Sequence, residues 1–455
     1  MKKTLVAFTV TLLLSGFASA QLQVEDTGGE PAKRVITVTS PGVFKAEVWQ
    51  GSGGGLMRFY NLAVDPEAKP FDAAQGREPV ERVNLADQSR GLFEIGWHGA
   101  GFKGPDKEDC CSKHILNKQR FIKDEKTGEM VRDGCYDGCG DWPSTGHAEL
   151  ARAKKDPKVM GTLEVVESSP ARVRVRIADV PFVWWSKYVH DLKATGTYTF
   201  YPTGRIVVAV RVVNTGDRPF HWSSEFGPHL MVPGDDKRPE GDRGFTWSTP
   251  TQDVFKGGPS EEFILAASDK VKTSLLLTIP VEGNKVFSRW MRHNGRSIGW
   301  DRAGYGSGGL VMQPGYDETW TCLIQMGTPG AALVPDLKTA TDALPFALDY
   351  REPAKITGAT LVTDDAGDFN TDGFNESEGC FVLKGPGPLA FTYERGKGAG
   401  FAPAFKILGW NGDPPKSVKV DGKDVPCAAG VVDGKLVLQV LGTVTAEKAK
   451  IDIAR

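Results

Sequence analysis

Short runs rich in β-branched and aromatic residues recur along almost the whole chain, and this pattern constrains the fold more than any other feature. In residues 172–177, charged and apolar residues alternate, which is the pattern of a strand with one buried face. Pairs such as Thr203-Gly204 and Pro314-Gly315 mark turns between the runs. Helical periodicity is scarce: its best candidate is 145–153, and 337–347 is a candidate for a turn. The sequence therefore predicts an all-β fold built from many antiparallel strands.

The predicted strands form a long first group and a shorter second group. They cover residues 34–39, 44–49, 171–177, 195–201, 205–213, 273–278 and 318–325, and then 379–383, 389–393, 404–410, 417–420, 435–441 and 449–453. A polar stretch at 335–355, punctuated by Pro335, Pro345 and Pro353, separates the groups. We therefore expect a large domain over 21–345 and a β-sandwich over 346–455, a length that suits a sandwich of about 100 residues.

The first 20 residues have the pattern of a secretory signal peptide. Lys2 and Lys3 precede an apolar stretch at 5–14, and Ala18-Ser19-Ala20 forms a small-residue cleavage pattern. We expect the mature protein to be periplasmic or secreted, with no membrane span after signal removal. The formal net charge of −2 argues against a nucleic-acid partner, which requires a clear excess of Lys and Arg.

Four of the seven cysteines cluster in one Cys-rich insertion near 99–142. Export permits disulfides, so we expect two bridges among Cys110, Cys111, Cys135 and Cys139. The alternative is a zinc site that adds His114 or His147 to these cysteines.

The other three cysteines lie in predicted strands or close to them. Cys322 is predicted to be an inert buried thiol. Cys380 and Cys427 are candidates for a further disulfide in the C-terminal domain.

Residues 195–230 resemble the galactose-mutarotase-like supersandwich superfamily. They contain a strand pair that ends in Asn-Thr-Gly-Asp-Arg-Pro at 214–219, followed by a histidine in the context Gly227-Pro228-His229. The stretch 313–320, with Pro314-Gly315, resembles the start of a late strand in that family. The resemblance covers about 33–330 and implies a large antiparallel supersandwich that is carbohydrate-active. Aldose epimerases, polysaccharide lyases and glycoside hydrolases share this fold, so the resemblance does not fix one activity.

Three departures from a simple mutarotase favour a larger saccharide as substrate. His229 is followed by Leu230-Met231-Val232 where the family has Pro-Tyr-Phe. The Cys-rich insertion and the C-terminal domain are also additions to the minimal fold.

The stretch 221–229 is the first candidate for the functional site. In a continuous strand, His221, Glu225 and His229 share parity and face one side, with Trp222 beside them. Neutral histidine is an acid or a base near neutral pH. The alternative is a pair of structural histidines at strand ends.

A second candidate combines aromatic residues that stack on sugar rings with groups that transfer protons. Trp185 and Tyr188 lie in 184–191, and Trp97 and His98 offer another contact. The alternative for 184–191 is a packed strand with a solvated end.

A third candidate at 289–305 is rich in arginine, which binds a uronate carboxylate through two hydrogen bonds. Its substrate-binding residues are Arg289, Arg292, His293, Asn294, Trp300, Asp301 and Arg302. The alternative is a solvated, charge-balanced loop.

These residues favour a polysaccharide lyase acting on a uronate-containing glycan. β-Elimination needs a base, His229 or Tyr188, and a group that neutralises the carboxylate, Arg292 or Arg289, with Asn294 assisting. A glycoside hydrolase that uses Glu225 and Asp301 is the close alternative. A non-catalytic glycan-binding cell-envelope protein and an epimerase are the third and fourth.

The stretch starting at Asp368 matches the opening of a calcium-binding loop. Asp368, Asn370 and Asp372 supply oxygen ligands at positions 1, 3 and 5, and Gly373 occupies position 6. Position 12 is Gly379 instead of a carboxylate, and an Asx-rich turn is the alternative. We therefore expect that the protein requires no cofactor. Calcium is the candidate for a structural ion in this loop.

Overall fold

Extended backbone makes up most of the described chain, and its strands follow the alternating runs of the sequence. The computed structural model describes residues 21–66, 84–86, 90–95, 100–102, 121–123, 130–132, 140–144, 147–148, 157–184, 187–217, 220–222, 227–233, 243–248, 263–280, 288–289, 297–301 and 310–454. The prediction of an all-β fold with large antiparallel sheets is confirmed.

Twenty-two strands precede residue 328 in the described part of the chain. The first nine are β1 (Gln23–Asp26), β2 (Val35–Ser40), β3 (Phe44–Trp49), β4 (Gly55–Asn61), β5 (Phe93–Ile95), β6 (Ala100–Phe102), β7 (Phe121–Lys123), β8 (Met130–Arg132) and β9 (Gly140–Asp141). The next six are β10 (Thr162–Ser168), β11 (Val173–Trp184), β12 (Lys187–Phe200), β13 (Arg205–Asn214), β14 (Phe220–Trp222) and β15 (Pro228–Met231). The last seven are β16 (Thr246–Ser248), β17 (Phe263–Ser268), β18 (Thr273–Thr278), β19 (Ser288–Arg289), β20 (Ser297–Asp301), β21 (Leu310–Met312) and β22 (Asp317–Gly327).

Short 3₁₀ turns at Gln50–Ser52 and Pro157–Met160 precede β4 and β10. Helix α1 (Ala340–Arg351) follows β22. Ten strands complete the chain: β23 (Lys355–Thr357), β24 (Thr360–Leu361), β25 (Phe374–Asn375), β26 (Cys380–Lys384), β27 (Leu389–Glu394), β28 (Ala404–Leu408), β29 (Ser417–Val420), β30 (Lys423–Val432), β31 (Lys435–Val440) and β32 (Lys448–Ile453).

A nine-stranded antiparallel sheet forms the central wall of the molecule. Its order is β10-β11-β12-β13-β22-β18-β17-β16, and β9 pairs with β11. Ile206 and Val208 of β13 belong to one apolar core, whereas Val207 belongs to a second. Because alternate residues of a strand point to opposite faces, this sheet separates two cores.

The first core is closed by the four-stranded sheet β1-β2-β3-β4, which contributes Ile36, Val38 and Phe44. Two smaller sheets adjoin it, with the orders β19-β20-β15-β5 and β21-β14-β6. Strands β7 and β8 form a separate pair.

The second core lies between the central wall and a ten-stranded C-terminal sheet. That sheet has the order β23-β27-β32-β29-β30-β31-β28-β26-β24, with β25 on β26. Phe381, Phe405 and Ile451 from this sheet pack in the same cluster as Tyr201 and Val207 of the wall.

Helix α1 begins at a capping box, in which the Thr339 hydroxyl accepts from the Asp342 backbone amide and the Asp342 carboxylate accepts from Thr339. Its buried residues Ala343 and Ala347 cluster with apolar residues of β17 and β18. The sequence predicted only a turn within 337–347. The observed helix extends to Arg351, so it crosses the predicted domain boundary between 345 and 346.

The described cysteines are all free thiols. Cys322 is buried in β22 as expected. The expected Cys380–Cys427 disulfide is wrong, because the Cys380 sulfur faces Arg172 and Glu378 and the Cys427 sulfur faces the Pro415 carbonyl. Cys110, Cys111, Cys135, Cys139 and His114 lie outside the described residues.

Within the described ranges, no helix combines the length and apolar character that crossing a membrane demands.

Candidate functional site

His229 lies in β15, between strands β5 and β20. The register pairs it with Glu94 on one side and with Gly299 on the other. The adjacent residues Leu230 and Phe93 belong to the first core. Because side chains alternate between the faces of a sheet, His229 and Glu94 point away from that core. Both side chains are 0% exposed.

Glu94 is compensated by a nearby arginine. The Arg90 Nη1 atom donates to both carboxylate oxygens of Glu94, at 3.1 and 3.3 Å. The Nδ1 atom of His229 lies 3.9 Å from Glu94 Oε1, which is an ion-pair distance longer than a hydrogen bond. An imidazole, a carboxylate and a guanidinium therefore meet behind the small sheet.

Three distant segments of the chain pass between the same two small sheets. Strands β5, β15 and β20 belong to the four-stranded sheet, and β6, β14 and β21 belong to the three-stranded sheet. The chain connects β5 to β6, β14 to β15 and β20 to β21. The candidate stretches at 97–98, 221–229 and 300–302 fall in sequence at these three passages. The described strands that flank these passages belong to the two sheets, and the junction between the two sheets is called the seam below.

His221 and His229 do not share one strand, so the expectation that they face one side of a continuous strand is wrong, and Glu225 lies outside the described residues. The chain ends β14 at Trp222 and begins β15 at Pro228, in a different sheet. Proline has no backbone donor and suits the first position of a strand. His221 pairs with Gly101 and Val311 instead.

The other predicted site residues are placed only in part. The backbones of six are described: Tyr188 in β12, His221 and Trp222 in β14, Arg289 in β19, and Trp300 and Asp301 in β20. Eight lie outside the described residues: Trp97, His98, Trp185, Glu225, Arg292, His293, Asn294 and Arg302.

Sequence reasoning missed Glu94 and Arg90. Glu94 lies between apolar neighbours in a three-residue strand, a local pattern that signals only a half-buried strand. Its partner His229 is distant in sequence, and only the pairing of β5 with β15 joins them. The i, i+4 spacing of Arg90 and Glu94 was the available signal.

His147 is a buried structural histidine. The Ser144 backbone amide donates to its Nδ1, and its Nε2 donates to the Pro181 carbonyl at 3.0 Å. Burial lowers the pKa of His147 to about 4, against the opposing effect of these backbone contacts, so the ring is neutral. Both nitrogens are engaged by backbone, which argues against His147 as a zinc ligand, and the cysteines of the zinc alternative lie outside the described residues.

The acidic loop at 368–376 brings carboxylates together. Oxygen atoms of Asp368, Asp372 and Glu376 lie within 4.8 Å of one another. The Asn370 amide donates to Asp372 at 3.0 Å, and the Gly373 amide donates to Asp368 at 2.8 Å. Glu376 therefore joins the set where Asn370 was expected, which gives oxygen donors suited to a hard cation.

Comparison with known proteins finds similarity among solved structures only. No family model and no curated protein matches the chain. A galactose 1-epimerase from Lactobacillus acidophilus NCFM is 7% identical over 68% of this chain and 99% of its own, with a TM-score of 0.32. A galactose mutarotase-like protein from Lactobacillus casei ATCC 334 is 12% identical over 64% of this chain and 99% of its own, with a TM-score of 0.30. A polysaccharide lyase is 10% identical over 95% of this chain and 46% of its own, with a TM-score of 0.26. Likenesses at this level do not assign an activity.

Proposed function

We propose that this protein is a secreted carbohydrate-active enzyme that cleaves a uronate-containing polysaccharide by β-elimination. The observation that carries the proposal is the position of His229, a fully buried imidazole on the sheet face turned away from the apolar core, beside the seam. A buried ionisable pair costs several kcal/mol, in order of magnitude, to desolvate. Such groups concentrate at functional sites.

The chemistry assigns one role to each candidate residue. His229 removes the proton on the carbon next to the uronate carboxyl group, with Tyr188 as the alternative base. The electron pair forms a carbon–carbon double bond, and the bond to the departing glycosidic oxygen breaks. That oxygen takes up a proton, and Arg289 or Arg292 neutralises the carboxylate, with Asn294 assisting.

The substrate can reach the base only if the protein changes conformation. Because His229 has no exposed surface, the residues that cover its ring must withdraw when the glycan binds. Trp185, Trp222 and Trp300 are the proposed stacking residues for the sugar rings.

The experiment incubates the mature protein with a panel of uronate polysaccharides. Ultraviolet absorbance from an unsaturated product supports the lyase. Reducing ends without that absorbance support the hydrolase, with Glu225 and Asp301 as its carboxylates, because hydrolysis creates no double bond. Retention on the polysaccharide without cleavage supports the glycan-binding protein.

The variant that tests the base is His229→Ala, and His147→Gln is its control, because His147 is also a buried histidine. We expect His229→Ala to lower kcat by about 100-fold or more. The control is expected to lower thermal stability and to keep kcat. Unchanged activity in His229→Ala removes this residue from the mechanism.

Secretion is proposed on the leader sequence alone. Mass spectrometry of protein recovered from the exporting host is expected to find Gln21 as the first residue. Calcium in the acidic loop is proposed as a structural ion that takes no part in the reaction.

A further inference from the structure

Glu94 is an ionisable residue at a position where burying a charge costs free energy of folding. It has 0% exposed surface and lies in β5 between two core residues, Phe93 and Ile95. An isolated carboxylate in such a position would be strongly destabilising. Its retention therefore calls for partners, and the register supplies His229 directly across the strand pair.

Arg90 donates hydrogen bonds to the Glu94 carboxylate. The arginine lies four residues earlier in the chain, and its side chain is 26% exposed. One Nη1 atom spans both carboxylate oxygens, so the negative charge is compensated at the edge of the site. Oε1 is the oxygen that faces both Arg90 and His229.

We propose that Glu94 is a positioning residue that sets the orientation and tautomer of His229. With its Nδ1 atom turned toward Glu94, the neutral ring keeps its proton on Nδ1. Its Nε2 atom, on the far side of the ring, then carries the lone pair. This assignment rests on the proposed function in one respect, namely that His229 is the base.

The proton balance follows from that arrangement. Nε2 takes the substrate proton, and the imidazolium that forms is stabilised by the Glu94 carboxylate 3.9 Å from Nδ1. Glu94 itself gains no proton. His229 returns to neutrality when Nε2 releases the proton to the departing oxygen or to water.

A purely structural role for Glu94 leads to a different expectation. If the Arg90–Glu94 pair only fixes the chain before β5, replacing Glu94 lowers stability. The tautomer of His229 then stays the same whichever residue occupies position 94. The two roles are therefore distinguished by measuring which ring nitrogen of His229 carries the proton.

The test is nitrogen NMR of the full chain labelled at histidine, with the His229 signal assigned by its loss in His229→Ala. The proposal expects the Nδ1–H form in the native protein and loss of that preference in Glu94→Leu. The control is Glu47→Leu, because Glu47 is also a nearly buried, ion-paired glutamate, on β3. The control is expected to leave the His229 signal unchanged.

Three outcomes overturn the assignment. They are an Nε2–H form in the native protein, a tautomer that is unchanged in Glu94→Leu, and an equal change in Glu47→Leu. The first is read in the native protein, so the proposal stays testable if Glu94→Leu fails to fold.

Kinetics separate this proposal from the proposed function. If the native protein cleaves a uronate polymer, Glu94→Leu is expected to lower kcat by about 10–100-fold with KM little changed, as for residues that orient a reacting group. If no polymer is cleaved but the tautomer follows Glu94, the lyase proposal fails and the positioning of His229 stands. If the polymer is cleaved and the tautomer does not respond to Glu94→Leu, the lyase proposal stands and the positioning role of Glu94 fails.

Discussion

Gly196 occupies a position where the close approach of an aromatic ring requires glycine. It lies in β12, opposite Ile177 and Val210, and a Cβ at this position would overlap the buried Trp142 ring. A large, rigid ring in a filled core has little room to shift. We expect Gly196→Ala to lower the free energy of unfolding by about 1–3 kcal/mol, measured by urea denaturation.

The matched control is Gly442→Ala. A Cβ at Gly442 meets only Val425 Cγ1, at an ordinary contact distance of 3.4 Å. We expect a change within about 0.5 kcal/mol. Equal losses in both variants would show that the Trp142 contact does not determine the cost.

At the same scale, the sequence predicts the histidine of the candidate site but not its partner. The Gly-x-His context and the turn motif at 214–219 select His229 from local residues alone. Glu94 has no such signature. Its importance arises from a strand register, and register depends on pairing between strands that are distant in sequence.

Asp349 on helix α1 links the stability of that element to pH. Burial raises the pKa of Asp349 to about 6, and Arg205, whose Nη2 lies 3.6 Å away, only partly offsets this. Because folded Asp349 binds its proton more tightly than the unfolded chain does, its contribution to stability increases as pH falls through 6 toward the unfolded value of 3.8.

We therefore expect Asp349 to raise the urea midpoint at pH 5 relative to that at pH 7.5, whereas the buried neutral His147, with its low pKa, acts in the opposite direction. Asp349→Asn is expected to make the change in midpoint from pH 7.5 to pH 5 less favourable than in the native protein, and the exposed Asp433→Asn is expected to leave that change as it is. A midpoint that falls steadily between pH 7.5 and pH 5 in the native protein, with no effect of Asp349→Asn, would contradict the assignment.

The acidic loop before β26 makes a separate prediction at the scale of the element. If calcium binds Asp368, Asp372 and Glu376, it stabilises the folded state by mass action, by about 2.7 kcal/mol at a free concentration 100-fold above Kd. Differential scanning calorimetry is expected to show a higher Tm with calcium than with a chelator.

Asp372→Asn is expected to abolish this difference in Tm, and the exposed Asp413→Asn is expected to preserve it. An equal Tm with calcium and with chelator in the native protein would leave the Asx-rich turn as the correct interpretation.

The bounds of some strands were predicted correctly from local composition, and those of one long strand were not. Strand β3 and strand β18 have the predicted bounds, because their local composition matches their position in the sheet. Strand β11 was expected to end at Ile177 but continues to Trp184. Asp179, with φ of 58°, introduces an irregularity between Ile177 and Val180, after which pairing with β12 resumes. A bulge interrupts the sequence pattern without ending the strand.

At the scale of the whole molecule, a buried charge cluster joins the central wall to the C-terminal sheet. Arg172, which is 1% exposed, contacts Glu378 at 2.7 Å and Glu167 at 2.6 Å. Lys406 of β28 reaches Glu378 at 3.0 Å and Asp365 at 2.7 Å. The Tyr201 hydroxyl donates to the Glu378 carbonyl at 2.6 Å. Glu378 therefore stands between charged groups of both halves.

The charged groups of this cluster determine the ionisation of Glu378. Burial alone would raise its pKa, but the charges of Arg172, Arg174 and Lys406 outweigh burial and hold the pKa of Glu378 well below its usual range. Its stabilising contribution is present above the unfolded value of 4.5 and is lost as pH falls below it. This loss opposes the gain from Asp349 at acidic pH.

Removing the charge of Glu378 tests whether the cluster holds the two cores together. Glu378→Gln leaves Arg172 and Lys406 buried with less negative charge, so we expect a loss of about 3–5 kcal/mol at pH 7 by urea denaturation. Because Glu378 touches both halves, we also expect calorimetry to show one transition for the native protein and two for Glu378→Gln. Glu394→Gln, which breaks an exposed pair with Lys448, is expected to change stability by about 1 kcal/mol or less. A single transition and a similarly small loss in Glu378→Gln would mean that apolar packing around Tyr201 and Val207 holds the halves together without the charges.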